Sequence, residues 1–385
     1  MLKFAIVGAG AIASVQAEDL LALNDLCEIV AVYDRHIEKA QALVKSLKLQ
    51  AQCFSDYEMM LSKVEIDSVT ICLSPALHCE YTCKALRKHI HVICEKPMAM
   101  SLEQCNLMID TAKDYDCKLA VICQNRYKSA HMRLKELVNR QALGKVNQVT
   151  VNSLWWRGNS YYDIFWRGTW ESEGGGCLLS HGTHHLDLLL WLFGSPKSIS
   201  AFMCNLDHKN SECEDYVTAI LRYANGMVAN LTVSIVNHGE EQEIVVQGQR
   251  AKLSVPFAIS ANYALENGFP ASDEKTKEEL TCLYNSLPVC DLEGHRAQLR
   301  HFIKAVNGEE VLETTGECGR DVIEVIMGIY KSAVEKREIS LPINKDDAFY
   351  SHQSRARLMP HFHEKTVSIQ SFKTQKITLG RDVGK

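Results

Sequence analysis

Short apolar runs alternate with amphipathic stretches along the first third of the chain. Residues 4–7 are wholly apolar and end in glycine, and a helical pattern follows to Leu23. Residues 28–33, 67–73, 91–94 and 118–123 are further, mostly apolar runs. Between them, residues 40–47, 57–61, 80–88 and 102–115 carry helical spacing. A strand that is apolar at every position is buried on both faces, which requires helices above and below the sheet. The alternation therefore predicts an α/β chain that begins with a doubly wound parallel sheet. Further on the period changes. Residues 216–223 alternate, Asn225-Gly226 supplies a hairpin turn, and residues 227–236 return. Residues 243–246 and 251–255 read as a second hairpin turning at Gly248, and 303–306 and 322–334 as core helices.

The first apolar run feeds Gly8-x-Gly10-x-x-Ala13, and Asp34 closes the second run 21 residues after Ala13. This is the order of a dinucleotide fingerprint. Gly8 permits the tight turn, Gly10 lets the backbone approach a pyrophosphate, and Ala13 keeps helix and strand close. Ala11 and Ile12 open a helix whose free N–H groups face the phosphates. Asp34 accepts the ribose hydroxyls and repels a 2′-phosphate. Arg35 could hold that phosphate, but Asp34 occupies the deciding position, so NAD is expected over NADP. Ligands of such sheets bind beyond the carboxyl ends of the strands, which brings in Ser74, Pro75, Glu95, Lys96 and the stretch Gln124, Asn125, Arg126.

Composition narrows the function classes. The 385 residues carry a net charge of −5, which gives no electrostatic case for nucleic acid or an anionic membrane. The mildly basic tail (Lys373, Lys376, Arg381, Lys385) reads as solvated. No window approaches the roughly 20 apolar residues of a membrane helix. The first residues imitate a secretion signal, but their glycines fit a strand running into a turn. Fifteen cysteines without C-x-x-C spacing fit a reducing cytoplasm, where the sequon at Asn230 has no meaning. Residues 180–187 read S-H-G-T-H-H-L-D. On a helix His181, His184 and His185 could share a face, so a metal-dependent hydrolase is one reading and a histidine-rich helix start another. The pair His361/His363 lacks nearby partners and is assigned no metal.

Several of these motifs together resemble the glucose–fructose oxidoreductase / inositol dehydrogenase / MocA family. They are Gly8-x-Gly10-x-x-Ala13, Ser74-Pro75-x-x-His78, Glu95-Lys96-Pro97, Trp166-Arg167-Gly168-Thr-Trp170, Gly174-Gly-Gly176 followed by His184-x-x-Asp187, and Gly316-Glu-Cys-Gly-Arg320. The resemblance spans roughly residues 1–345. It implies an NAD(P)-binding Rossmann domain at 1–123 and an α/β domain with a large open, mostly antiparallel sheet at 124–345. A C-terminal extension, 346–385, remains. The open sheet implies a homo-oligomer. The same resemblance gives Lys96 and His184 as the proton-handling pair of a hydride transfer between a sugar hydroxyl and NAD, without a metal. It adds His78, Gln124, Trp166 and Arg167 to the cofactor side. Asp187, one turn beyond His184, is expected to orient it. One position departs from the pattern: many relatives carry an acid four residues before the histidine, and here it is Ser180. The aromatic stretch 155–171 suits a pyranose, with apolar C–H faces and a hydroxylated rim. Arg126, Tyr127, Arg157, Tyr162, Asp163 and His181 join Lys96 and His184 as expected substrate contacts. Oxidation of a ring hydroxyl, at C3 of a glucoside, is the leading expectation. An inositol or nucleotide-sugar dehydrogenase, or a non-catalytic NAD-dependent sensor on the same scaffold, stand as alternatives.

Overall fold

A computed structural model describes residues 1–372; the basic positions Lys373, Lys376, Arg381 and Lys385 lie outside the described residues. Six parallel strands form the first sheet: β1 (Leu2–Val7), β2 (Cys27–Tyr33), β3 (Gln52–Phe54), β4 (Ser68–Ile71), β5 (His91–Cys94) and β6 (Leu119–Val121). Their spatial order is β3-β2-β1-β4-β5-β6. The order reverses direction between β1 and β4, and the crevice at that switch point is where a dinucleotide sits. Helices α1 (Ala11–Leu21), α2 (Ile37–Leu47), α3 (Tyr57–Lys63), α4 (Pro75–Leu86) and α5 (Leu102–Asp114) cover both faces. Burial follows the pattern read from the chain, with residues 4–7 and 92–94 fully inaccessible to solvent.

After α6 (Ser129–Asn139) the chain builds a second sheet. Its strands are β7 (Val146–Leu154), β8 (Ser198–Cys204), β9 (Tyr216–Arg222), β10 (Val228–Ser234), β11 (Gln242–Gly248), β12 (Lys252–Val255) and β13 (Ala258–Ser260), with α7 (Thr183–Phe193) inserted before β8. A small hairpin, β14 (Asn262–Ala264) and β15 (Pro270–Ser272), leads to α8 (Glu274–Ser286), α9 (Gly294–Val306) and α10 (Gly316–Glu335). The edge strand β16 (Ile339–Ser340) and the short α11 (His352–Ala356) follow. The order is β13-β12-β11-β7-β10-β9-β8-β16, antiparallel except for β7 beside β10. Asn225-Gly226 makes the β9–β10 turn, as read. Gly248 does not make the next one. It is the last residue of β11, and a Cβ there would lie 2.1 Å from the Leu143 carbonyl oxygen, so the glycine serves a close backbone approach.

Helix α9 returns to the first sheet. Leu299, Phe302 and Ile303 join the core beneath β1, with the rings of Phe4 and Phe302 6.2 Å apart. Helix α10 lies between the two sheets' cores, its Gly319 tight against Val121 of β6 and Gly328 against Ile199 of β8. No helix among the described residues is long and apolar enough to cross a membrane.

Candidate active site

A cleft of about 1570 Å³ opens at the carboxyl ends of β1, β4 and β5. Ordinary small-molecule sites are roughly 300–1,000 Å³, so this one has room for a dinucleotide and a second ligand together. On the first-sheet side it is lined by Gly10, Ala11, Ile12, Ser74, Pro75 and Glu95, then Lys96 and Gln124. Gly8 has φ +96°, and a Cβ would press to 2.7 Å from the Cys72 carbonyl oxygen, so only glycine turns here without strain. A Cβ at Gly10 would meet nothing within 4 Å, because the backbone faces the open cleft. No side chain caps the first turn of α1, leaving its N–H groups for phosphate oxygens. The Asp34 carboxylate accepts from the N–H of Ala9 and of His36, each at 2.9 Å, which fixes it beside the glycine turn. Each oxygen keeps a lone pair for a ribose hydroxyl. These residues fit a dinucleotide. Replacing Asp34 by Ser is expected to weaken NAD binding about 10–100-fold and to reduce the preference over NADP. Fluorescence titration with both nucleotides checks this; an unchanged ratio of the two affinities would sink it.

Arg35 is exposed and stacks on Phe165, 5.4 Å from its centroid, reaching across to the aromatic loop. His78 does not reach the cleft. It is buried as a strut, its ring nitrogens 2.8 Å from the Pro97 carbonyl oxygen and 3.0 Å from that of Leu73. It thus ties together the two loops that present Ser74 and Lys96.

Lys96 is half-buried at the end of β5, and its Nζ donates to the Ser180 carbonyl oxygen at 3.1 Å. Burial lowers its pKa below the usual lysine range; Glu95 opposes that and Arg167 adds to it. Glu95 is itself held by Gln16 Nε2 at 2.6 Å and by the Lys96 N–H at 3.1 Å.

The opposite wall comes from residues 174–187. The triple glycine exists because nothing larger fits. A Cβ at Gly174 would lie 2.7 Å from Met100 Cγ, at Gly175 2.2 Å from the Tyr330 hydroxyl, and at Gly176 1.9 Å from the Glu214 carbonyl oxygen. The buried Glu214 carboxylate then accepts from the N–H of Gly176 at 3.0 Å and of Leu178 at 3.1 Å, and from Tyr330 at 2.9 Å. Burial pushes its pKa up to about 7. Leu178–Gly182 form a single π-helical turn that leads into α7, where the sequence suggested a plain helix start. Such turns recur at functional sites because they re-aim side chains. Here His181 and His184 both line the cleft with Lys96. Burial holds both imidazoles well below their usual pKa, with Arg157 and Lys96 next for His181 and Lys96 next for His184. His184 makes no hydrogen bond among the described residues, so a neutral ring with one donor and one acceptor faces the cleft. His185 is buried and turned away.

Asp187 does not orient His184. Its two oxygens are taken by Arg126, at 2.9 Å to Nε and 2.6 Å to Nη2, in a buried bidentate pair. This also removes Arg126 from the expected substrate contacts. Tyr127 packs against His301 beside α9, outside the cleft. Tyr162 is fully buried against His208, and Asp163 accepts from Asn210 at 3.0 Å. The neighbouring Tyr161 faces the cleft instead, since successive residues of a 3₁₀ turn point about 120° apart. Trp155, Trp166, Arg157 and Arg167 line the cleft beside it.

Glu173 was missed in the sequence. It is buried in the cleft wall, accepts from the Gly168 N–H at 2.7 Å and lies 3.8 Å from Arg167. Burial pushes its pKa up to about 7. Its place directly before the triple glycine was the available signal. Among the described residues no group of three His, Cys, Asp or Glu is placed to hold a metal ion.

Residues 2–123 match the family model of an oxidoreductase family with an NAD-binding Rossmann fold, and residues 131–254 match the GFO/IDH/MocA C-terminal domain. The chain is 29% identical over 358 residues to the D-glucoside 3-dehydrogenase of Escherichia coli, covering 88% of this chain and 97% of the relative. It is 31% identical over 247 residues to the glucose-6-phosphate 3-dehydrogenase of Bacillus subtilis, 61% of this chain and 68% of that one. Its fold is similar to the WlbA dehydrogenase of Bordetella pertussis, solved with NADH and UDP-GlcNAcA, with a TM-score of 0.77 at 26% identity, covering 89% and 98% of the two chains. The fingerprint, the sheet order and the family matches agree: the chain belongs to the GFO/IDH/MocA family of NAD-binding oxidoreductases.

Proposed function

We propose that the protein oxidises a secondary hydroxyl of a neutral sugar or glycoside, at C3 of a glucoside, using NAD. The carrying observation is that Lys96 and His184 line one cleft, with the lysine amine half-buried beside a dinucleotide site. Gly10, Ala11, Ile12 and Asp34 would hold the dinucleotide, with Ser74, Pro75 and Gln124 along its path to the reacting end. NAD, when bound, supplies the hydride acceptor. The protein must hold the substrate carbon in register and take the hydroxyl proton. A neutral Lys96 amine does the second. Its lowered pKa makes it a better base near neutrality than an exposed lysine, and the Ser180 carbonyl holds it in position. His184 hydrogen-bonds the reacting hydroxyl, since burial keeps its ring neutral and leaves a nitrogen lone pair. Trp155, Tyr161 and Trp166 offer faces for the C–H surface of a pyranose.

The charges of the cleft support a neutral substrate. Seven acidic side chains line it against four basic ones. Arg157 is already paired with Glu240 at 2.7 Å and with the Trp156 carbonyl oxygen at 2.6 Å. Arg167 is occupied by Glu173 and the Tyr161 hydroxyl. An anionic substrate would meet net negative walls and bound phosphates together. The kinship with a D-glucoside 3-dehydrogenase agrees with the neutral glucoside. The test follows nicotinamide absorbance during a screen of glycosides, uronates, inositols and sugar phosphates. We expect kcat/KM for methyl β-D-glucopyranoside to exceed that for its glucuronide by about tenfold or more. Turnover of none of them by enzyme that binds NAD would overturn the reading, and faster turnover of the uronate would overturn its charge argument.

A further inference from the structure

Ser180, at the position where the family motif commonly has an acid, has a side chain with a definite hydrogen-bond inventory. Its Oγ lies 2.7 Å from the Gly176 carbonyl oxygen and 2.8 Å from His181 Nδ1. A carbonyl only accepts, and a hydroxyl has one proton to give. That proton goes to Gly176, so the second contact is filled by an Nδ1–H donating to Ser180 Oγ. His181 is then the Nδ1–H tautomer, and Nε2 carries a lone pair. No hydrogen bond to Nε2 is made among the described residues, and the side chain lines the cleft with Lys96 and His184. The ring is held in place by Trp155 and Tyr161, 5.4 Å and 5.8 Å away between centroids. Protonation would remove the Nε2 lone pair, but burial, with the Arg157 cation next, disfavours the charged ring.

We propose that Ser180 is a positioning residue that fixes the tautomer of His181, and that His181 Nε2 accepts a hydrogen bond from a second hydroxyl of the substrate. The proposal rests on the reading of the cleft as a site for a polyhydroxylated ligand. It adds a specificity rule: at that position the site requires a hydrogen-bond donor and disfavours an ether, a carboxylate or a phosphate. Ser180 thereby serves two groups of the site, through its backbone for Lys96 and through its side chain for His181.

The tautomer is read directly by ¹⁵N NMR on histidine-labelled protein, with His181→Asn used to assign the signal. The expected wild-type signal is Nδ1–H, neutral. Ser180→Ala should convert it to a mixture containing Nε2–H, and Ser180→Thr, which keeps a hydroxyl, should restore it. An Nε2–H wild-type ring, or a tautomer untouched by Ser180→Ala, would overturn the proposal, and this arm needs no substrate. Kinetics with methyl β-D-glucopyranoside read the second half. A lost neutral hydrogen bond corresponds to about a tenfold rise in KM, expected for Ser180→Ala and His181→Asn with kcat held within about threefold. His181→Gln, whose Oε1 reaches the place of Nε2, should stay within about threefold of wild type in KM. A KM raised more by Gln than by Asn would refute the Nε2 contact. Absence of turnover by wild-type enzyme would strike the sugar-oxidising reading and the second half with it, while the tautomer arm still decides the first.

Discussion

Lys96→Met is expected to lower kcat for sugar oxidation by about 10²–10⁴-fold while NAD binds with near-normal affinity. The methionine keeps the length and apolar stem of the side chain and removes only the amine. The wall around it is unchanged, because the amine's one hydrogen bond runs to a backbone carbonyl of the π turn. The wild-type pH profile carries the same prediction. Oxidation needs the neutral amine, so its rate falls as pH drops through the lysine pKa, which burial places below the usual range. Reduction of the ketone needs the ammonium, so its rate changes in the opposite direction. The methionine variant should lose this dependence in both directions. Stopped-flow measurement of nicotinamide absorbance in each direction supplies the test. A variant that retains the wild-type pH profile would remove Lys96 from the chemistry.

Gly176→Ala has the second large effect, and it is on stability. The added methyl would sit 1.9 Å from the Glu214 carbonyl oxygen, which is backbone and cannot swing aside. Overpacking against side chains costs about 1–3 kcal/mol, and a backbone clash lies at or above that range. The turn would shift, and with it the N–H groups that Glu214 accepts and the placement of His181 and His184. A drop in Tm of roughly 5 °C or more is expected, together with loss of turnover. Gly10→Ala is the matched control. Its methyl would enter open cleft space, at a residue whose φ of −84° alanine adopts freely. It should leave Tm within about 2 °C and instead weaken NAD binding, because the methyl occupies the approach to the pyrophosphate. Thermal unfolding of both variants separates them, and equal Tm values would show that the triple glycine is not a packing device.

The nucleotide-binding half was legible because its signals are local. Strand, glycines, helix and acid stand within the first 34 residues, and each acts through its own backbone or at its own strand end. The second half was legible in kind, through the Asn225-Gly226 hairpin and the family motifs, but its strand β7 carries mixed polar and apolar residues and gave no clear pattern. The substrate side was misread at individual positions. Arg126 looked like a ligand-binding arginine at a strand end, yet a carboxylate 61 residues away claims it. Tyr162 and Tyr161 are adjacent and chemically alike, and only the phase of the turn decides which one meets the cleft. Glu173 was hidden because a glutamate in a polar stretch has no mark of burial.

The sequence by itself determined the alternation of strands and helices in the first 123 residues, the dinucleotide fingerprint, and the presence of a lysine and a histidine in family register. These depend on periodicity, turn chemistry and spacing, which act over a few residues. The tertiary structure alone decided which polar groups stay available. Hydrogen bonds and ion pairs are exclusive, and their partners come from distant segments: Asp187 is spent on Arg126, His78 on two carbonyls, and Arg157 and Arg167 on carboxylates. Among the described residues, the groups still able to meet a ligand in the cleft include Lys96 held on the Ser180 carbonyl, His184 without a hydrogen-bond partner, and one nitrogen of His181.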